Sequence, residues 1–284
     1  MTQADTLRLA VAQFSMVEDP AVNIARAVEL VRAAHAQGAQ AVLLPELFAT
    51  PYFPREMDDK FFALAHSAEQ DPALRALAPL ARELQLVLPV SFFERADDAF
   101  YNSLAVLDAD GRSLGVYRKT HIPDGAGYEE KFYFKPGDTG FRRFDTRYAK
   151  LGIGICWDQW FPETARALTL LGSDLLLYPT AIGSEPLTRR DTAQPWRRAM
   201  VGHAVSNTIH VAAANRVGDE GGQLFYGTSF IADPWGEILG ELGRSDEGVC
   251  CVTLEIGAAR TDREWMGLLR DRRPETYGPL VGNK

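Results

Sequence analysis

The stretch Leu151–Glu163, LGIGICWDQWFPE, constrains this chain more than any other. Leu151-Gly152-Ile153-Gly154-Ile155 alternates apolar side chains with glycine. That is the pattern of a strand buried on both faces where another backbone comes close. Cys156 stands at its end. The bulky, mixed run Trp157-Asp158-Gln159-Trp160 cannot continue the strand, and Phe161-Pro162-Glu163 opens a helical pattern, with Pro162 suited to a first turn. Such a strand–turn–helix unit points to an α/β fold with Cys156 at the carboxyl end of a sheet, where open α/β folds place ligands. A nearby helix N-terminus favours a thiolate.

The rest of the chain repeats this alternation. Strands are predicted over Leu7–Phe14, Ala39–Leu44, Leu86–Glu94, Tyr101–Leu107, Ser113–Thr120, Phe141–Phe144, Asp174–Tyr178, Thr208–Ala214 and Gly248–Leu254. A hairpin is predicted from Phe225–Ala232 and Glu237–Leu242, and the Asp-Gly of Asp108–Arg112 marks another. Helical periodicity covers Pro20–Gln37, Asp71–Leu84, Phe161–Leu171 and Asp191–Asn207. No linker or low-complexity segment interrupts the order, so residues 1–284 are expected to form one α/β domain. Strand–helix–strand units at both ends hint at internal pseudo-symmetry. Arg260–Lys284 mixes charge with Trp265, Leu268 and Leu269 and reads as a tail that packs on a second subunit.

Charge and cysteine usage narrow the class. The net charge is −8 and no basic run occurs, which argues against nucleic acid and mildly favours a cationic substrate. No apolar run approaches membrane-spanning length, and the polar Met1–Thr6 lacks the character of a signal peptide. The cysteines are Cys156, Cys250 and Cys251, without disulfide-framework spacing, as expected in a reducing cytoplasm.

Three chemically capable residues end predicted strands: Glu46, Lys119 and Cys156. Taken singly, each has an ordinary reading: a solvated strand end, a surface lysine, a small buried apolar group. Together they make a coherent set. A thiol is a good nucleophile once deprotonated, a buried carboxylate can take its proton, and an ammonium can hold the oxyanion formed on a carbonyl. The backbone N–H of Trp157 offers a second oxyanion donor. A cysteine–histidine pair is the competing arrangement, and His121 is its one credible partner, though no carboxylate evidently orients it. Gly152-Ile153-Gly154 is not a dinucleotide loop, because its glycines lie within the strand and Trp157 stands where a third is needed. No spacing resembles a metal site. Cys250-Cys251 falls in an apolar strand and reads as core. No metal or organic cofactor is expected.

These residues sit in blocks that resemble the nitrilase superfamily of carbon–nitrogen hydrolases: LLPELF around Glu46, RKTHIP around Lys119, GIGICWDQWFPE around Cys156 and AANRVG at Ala213–Gly218. The resemblance spans nearly the whole chain. It implies a four-layer α-β-β-α sandwich of the nitrilase type, assembled as dimers or larger homo-oligomers, with a Glu-Lys-Cys triad. It also implies a second glutamate near the nucleophile, matched by Glu130 rather than Glu129. PDGAGYEEKFYFKPGDTGF, CWDQWFPE, YPTAIGSEP and FYGTSFIADPWGE are similar to the branch acting on N-carbamoylputrescine. That implies hydrolysis of its ureido group to putrescine, carbon dioxide and ammonia, in polyamine synthesis. Gln194-Pro195-Trp196 and His210 depart from the branch pattern. Relatives acting on N-carbamoyl amino acids carry arginines just after the nucleophile, where this chain has Asp158 and Gln159. An acidic residue there suits an amine and repels a carboxylate. Glu185 is the favoured partner for a distal ammonium, with Asp124 a second candidate and Tyr52 closing the pocket. Arg189 and Arg190 would instead suit an acidic substrate if they pointed inward. Alternatives are the same chemistry on another N-carbamoyl compound, amide or nitrile, or a catalytically silent binding scaffold on this fold.

Overall fold

The computed structural model describes residues 5–184, 187–188 and 190–282. Its first half runs Leu7–Gln13 (β1), Pro20–Ala36 (α1), Ala41–Leu43 (β2), Pro72–Leu84 (α2), Leu88–Ala96 (β3), Ala99–Leu107 (β4) and Ser113–Arg118 (β5). A short helix, Glu130–Tyr133 (α3), lies in the connection. The second half runs Arg143–Asp145 (β6), Lys150–Ile153 (β7), Pro162–Leu170 (α4), Leu175–Thr180 (β8), Ala193–Asn207 (α5) and His210–Asn215 (β9). It continues with Val217–Glu220 (β10), Gln223–Tyr226 (β11), Phe230–Ala232 (β12), Ile238–Glu241 (β13), Gly248–Leu254 (β14) and Ile256–Met266 (α6).

Helix starts follow local chemistry. Asp19 accepts the Ala21 amide at 2.9 Å and Asp71 the Leu74 amide at 2.9 Å, and Pro20, Pro72 and Pro162 open α1, α2 and α4. Strand alternation then sorts side chains into layers. In β1, Leu7, Leu9 and Val11 enter a core shared with Ile153, Leu175 and Leu177, while Ala10 and Ala12, with Phe14 just past the strand, face α1 and α2. In β8, Leu176 and Tyr178 face α4 and α5, where Leu168, Trp196 and Met200 cover them. Two sheets therefore pack face to face, with helices outside each: a four-layer α-β-β-α sandwich.

The two sheets share one plan. The second has the order β13-β12-β9-β8-β7-β6. The first joins β14-β1-β2 to β3-β4-β5 through a parallel bridge of Ala41 with Val87. Taken as β14-β1-β2-β3-β4-β5 and β6-β7-β8-β9-β12-β13, the sheets match in strand direction position by position. The pseudo-symmetry hinted at by the sequence is thus real in topology. One consequence is that β2 and β5 run the same way, so Glu46 and Lys119 leave the first sheet at the same end. Cys156 arrives from β7 in the facing sheet.

Several expectations need correction. The strand expected over Phe225–Ala232 is two strands in two sheets. The chain turns at Gly227 and Thr228, both at positive φ, so that β11 pairs with β10 and β12 with β9 and β13. The glycines of the central strand admit side chains rather than another backbone: a Cβ on Gly152 would strike Ser173 Oγ and Leu176, and one on Gly154 the Tyr178 ring. The expected tail is a helix at its start, since α6 begins at Ile256, and Trp265 near its end is 74% exposed. Pro195 falls in the first turn of α5, where its missing N–H costs no bond.

Candidate active site

The site forms where the two sheets release their chains. Cys156 opens a 3-10 turn, Cys156–Trp160, directly after β7. Its φ is +41°, in the left-handed region, where a residue with a Cβ is strained. Asp158 holds the turn in that shape. Its amide donates to Ile155 O at 3.0 Å, and its Oδ2 accepts the Ile155 amide at 3.0 Å and the Tyr117 hydroxyl at 2.7 Å. Oδ1 takes the His121 amide at 3.0 Å and the His121 ring nitrogen at 2.7 Å. The His121 ring stacks on Phe161 at 3.6 Å. The end of β5 is thus tied to the cysteine turn through one carboxylate.

Glu46 and Lys119 come from the first sheet. Glu46 donates its amide to Thr180 O at 3.4 Å, and its Oε1 accepts from Asn102 Nδ2 at 2.7 Å and Lys119 Nζ at 2.9 Å. Lys119 Nζ also donates to both oxygens of Glu130, at 2.8 and 2.7 Å. Glu130 Oε1 accepts from the Tyr52 hydroxyl at 2.5 Å. Glu46, Lys119, Glu130 and Tyr52 are all fully buried. Glu46 Oε2 has no hydrogen-bond partner among the described residues. Gly137 closes the connection over β5: its amide donates to Lys119 O at 2.8 Å, and a Cβ there would collide with Arg118 O.

The electrostatics are those of a dry, crowded site. Burial pushes the Cys156 thiol well above its ordinary value; Glu46 adds to this, Lys119 opposes it and Glu130 adds again. Burial by itself would lower the Lys119 ammonium, but Glu130, Glu46 and Cys156 outweigh it, and the group lies above the ordinary lysine value. Burial raises Glu130 above the usual carboxylate range against the pull of Lys119. Burial, with Glu130 and Glu46, raises Tyr52, which keeps its proton to donate. Two carboxyl groups around one ammonium disfavour a further resting negative charge, so the thiol holds its proton until an acceptor takes it. Glu46 Oε2 is an oxygen with capacity to spare.

Cys156 opens into a pocket of about 240 Å³ lined by Pro123, Asp124, Tyr128, Trp157, Trp160 and Ile182, among others. Its Sγ lies 3.8 Å from Ala181 O. Trp157 is the second residue of the turn, so its N–H has no acceptor within it. Among the described residues no group of His, Cys, Asp and Glu could hold a metal ion.

The structure brings Glu46, Lys119, Glu130, Cys156, Tyr52 and Asp124 to this pocket or its inner wall, and Glu129 lies outside the cluster. It overturns the role expected of Asp158 and Gln159. Asp158 is fully buried and spends both oxygens on the turn, and Gln159 Oε1 accepts from Thr180 and Trp196. Neither lines the pocket. Tyr52 does not close it either: it stands behind Glu130. Glu185 and Arg189 lie outside the described residues, and the described Arg190 is exposed. Asp124 does line the pocket, 3.8 Å from Lys131 Nζ. Sequence reasoning missed Asn102 and Arg216. Nothing near Asn102 marks it, whereas Arg216 stood in plain view in the AANRVG block.

Known proteins resemble this chain in sequence and in fold. The carbon–nitrogen hydrolase family model matches residues 8–264. An N-carbamoylputrescine amidase of Arabidopsis thaliana is 49% identical over 278 residues, covering 95% of this chain and 93% of that one. A citrullinase of Francisella tularensis is 45% identical, covering 97% of this chain and 98% of its own. The crystal structure of a carbon–nitrogen hydrolase from Helicobacter pylori G27 superposes with a TM-score of 0.92 at 35% identity, covering 98% of this chain and 99% of that one.

Proposed function

This chain belongs to the carbon–nitrogen hydrolase family and hydrolyses carbon–nitrogen bonds, and from that premise we propose that it is an N-carbamoylputrescine amidase working through Cys156. The observation that carries the mechanism is the buried Lys119 ammonium held between Glu46 and Glu130 at the pocket's inner wall. Glu46 Oε2 takes the thiol proton as Sγ attacks the ureido carbon. Lys119 Nζ and the Trp157 N–H receive the oxyanion. The tetrahedral adduct collapses with the proton returned from Glu46 to the leaving nitrogen, releasing ammonia and leaving a thiocarbamate on Cys156. Glu46 then activates water, the carbon–sulfur bond breaks, and the carbamate released decays to carbon dioxide and putrescine. Glu130 and Tyr52 keep Lys119 aimed at the oxyanion.

For the substrate's far end, Asp124 is the pocket-lining carboxylate, with Glu185, five residues after β8 in sequence and outside the described residues, as a second partner for the ammonium. Citrulline carries the same ureido group, and 45% identity to a citrullinase makes it the second reading. We read the chain as one catalytic unit, cytoplasmic and paired in a homo-oligomer. Exposed Trp265, Leu280 and Val281 support contact of the C-terminal segment with a second copy. No described helix is long and apolar enough to cross a membrane.

Ammonia release from a panel of N-carbamoylputrescine, citrulline, a primary amide and a nitrile tests the assignment. The expected result is the highest kcat/KM on N-carbamoylputrescine. A higher value for citrulline would transfer the assignment to the second reading.

A further inference from the structure

Arg216 lies between β9 and β10 and is fully buried, as is nearly all of Glu220. Its Nη1 donates to both Glu220 oxygens at 2.9 Å and to Thr50 O at 3.2 Å. Its Nη2 donates to Glu46 O at 2.7 Å and Leu47 O at 3.1 Å. Glu220 Oε2 in turn accepts the Tyr52 amide at 2.5 Å. The guanidinium lies 5.6 Å from the Tyr52 ring centre and 5.4 Å from that of Phe225. One ion pair therefore grips the segment from Glu46 to Tyr52 along its length: Arg216 holds the carbonyls of Glu46, Leu47 and Thr50, and Glu220 holds the Tyr52 amide.

That segment needs a grip. Beyond β2 its amides at Glu46 and Leu47 are held by Thr180 O at 3.4 Å and Ser91 Oγ at 3.0 Å, but its carbonyls at these two residues are held by Arg216, and Leu47 sits at φ +47°, a strained left-handed conformation. A buried ion pair is a poor source of stability, since apolar groups of similar volume commonly serve as well. What an apolar pair cannot do is fix carbonyls in an irregular turn. The same segment carries the Glu46 carboxylate at its start and, at its end, Tyr52, whose hydroxyl meets Glu130.

We propose that Arg216, locked by Glu220, is a positioning residue that sets the Glu46 carboxylate against the Cys156 thiol by holding the backbone of residues 46–52. It touches no reacting atom. The inference rests on the reading of Glu46 as the base. Releasing the grip lets Leu47 relax and carries the Glu46 carboxylate away from the thiol. A misplacement near 1 Å costs about 100-fold in rate.

The test compares Arg216→Lys, Glu46→Gln and the double variant. Lysine can keep the ion pair with Glu220, so the variant retains the buried charge balance while losing the second nitrogen that reaches the Glu46 and Leu47 carbonyls. A second variant, Arg216→Met with Glu220→Leu, removes both charges together and guards against a folding failure of the first. Two rates are measured on each folded variant: ammonia release from N-carbamoylputrescine and alkylation of Cys156 by iodoacetamide, which needs the thiol proton removed but no substrate recognition. The expected result is a loss of about 100-fold in kcat with KM within about threefold, a matching fall in alkylation, and no further fall when Glu46→Gln is added. Turnover and alkylation within about threefold of the parent in both Arg216 variants, with Glu46→Gln inactive, would overturn this inference and leave the base assignment standing. An equal loss on top of Glu46→Gln would also overturn it, because Arg216 would then act independently of Glu46. Full activity in Glu46→Gln would remove the base assignment and this inference with it.

Discussion

The pocket has two walls of opposite construction. Behind Cys156, Glu46, Lys119, Glu130, Tyr52 and Asn102 are buried and tied together by hydrogen bonds of 2.5 to 2.9 Å. In front, Trp157 is 40% exposed and Leu187 82% exposed, and Asp124 stands half out in solvent. Charges in the inner wall act in a low dielectric and are held in place, so each contributes strongly to the transition state. Charges at the mouth are screened by water and contribute through substrate capture. In the mechanism proposed, the inner wall sets the reaction and the mouth sets the substrate.

Cys156→Ser breaks the inner wall most completely. It should cut ammonia release by more than about 1,000-fold while the protein still unfolds cooperatively, because the hydroxyl is a far weaker nucleophile. Lys119→Met should cost about 100- to 1,000-fold in kcat and lower the melting temperature as well, since it leaves two carboxyl groups buried without their cation. Asn102→Leu removes one neutral donor from Glu46 and should lower kcat about tenfold, with KM little changed. At the mouth, Asp124→Asn should raise KM for N-carbamoylputrescine about three- to tenfold, leave kcat alone and spare a neutral ureido compound. A kcat effect there as large as that of Asn102→Leu would erase the distinction between the walls.

The smallest expected effect on turnover lies outside both walls. Burial pulls the His210 imidazole from its ordinary 6.5 down to about 4. The folded value lies below the unfolded one, so the neutral ring's contribution is intact above pH 6.5 and is lost as pH falls toward 4. That amounts to about 3 kcal/mol. Glu130, raised to about 7, titrates with the opposite sign in this window and His203 with the same sign, so the check is the difference between parent and His210→Leu melting curves from pH 7 to pH 4, which should carry this slope while turnover at neutral pH is unchanged.

The two walls also differed in how far the sequence exposed them. Glu46, Lys119 and Cys156 were legible because each follows a strand; Glu46 and Lys119 leave one end of the first sheet, and Cys156 meets them from the facing sheet, a pairing of sheets that strand ends alone do not show. The layers were legible for a similar reason, since apolar alternation in β1 and β8 fixes which face meets which core. Asp158 was misread because nearness to the nucleophile in sequence does not say which way a side chain leaves a 3-10 turn, and here it turns back onto the Ile155 amide. Asn102 and Arg216 reach Glu46 across 56 and 170 residues, and no local pattern carries such contacts. The break at Gly227 and Thr228 was hidden because Phe225–Ala232 keeps an apolar character across two different sheets.

The central claim is that Cys156 forms a bond to the ureido carbon while the inner wall manages the proton and the charge. Rapid quenching of the protein during turnover of N-carbamoylputrescine, followed by mass measurement of the peptide that contains Cys156, tests it directly. The account predicts an adduct on Cys156 with the mass of the substrate less ammonia, absent from Cys156→Ser. Steady ammonia release with no adduct on that peptide at any quench time would contradict it.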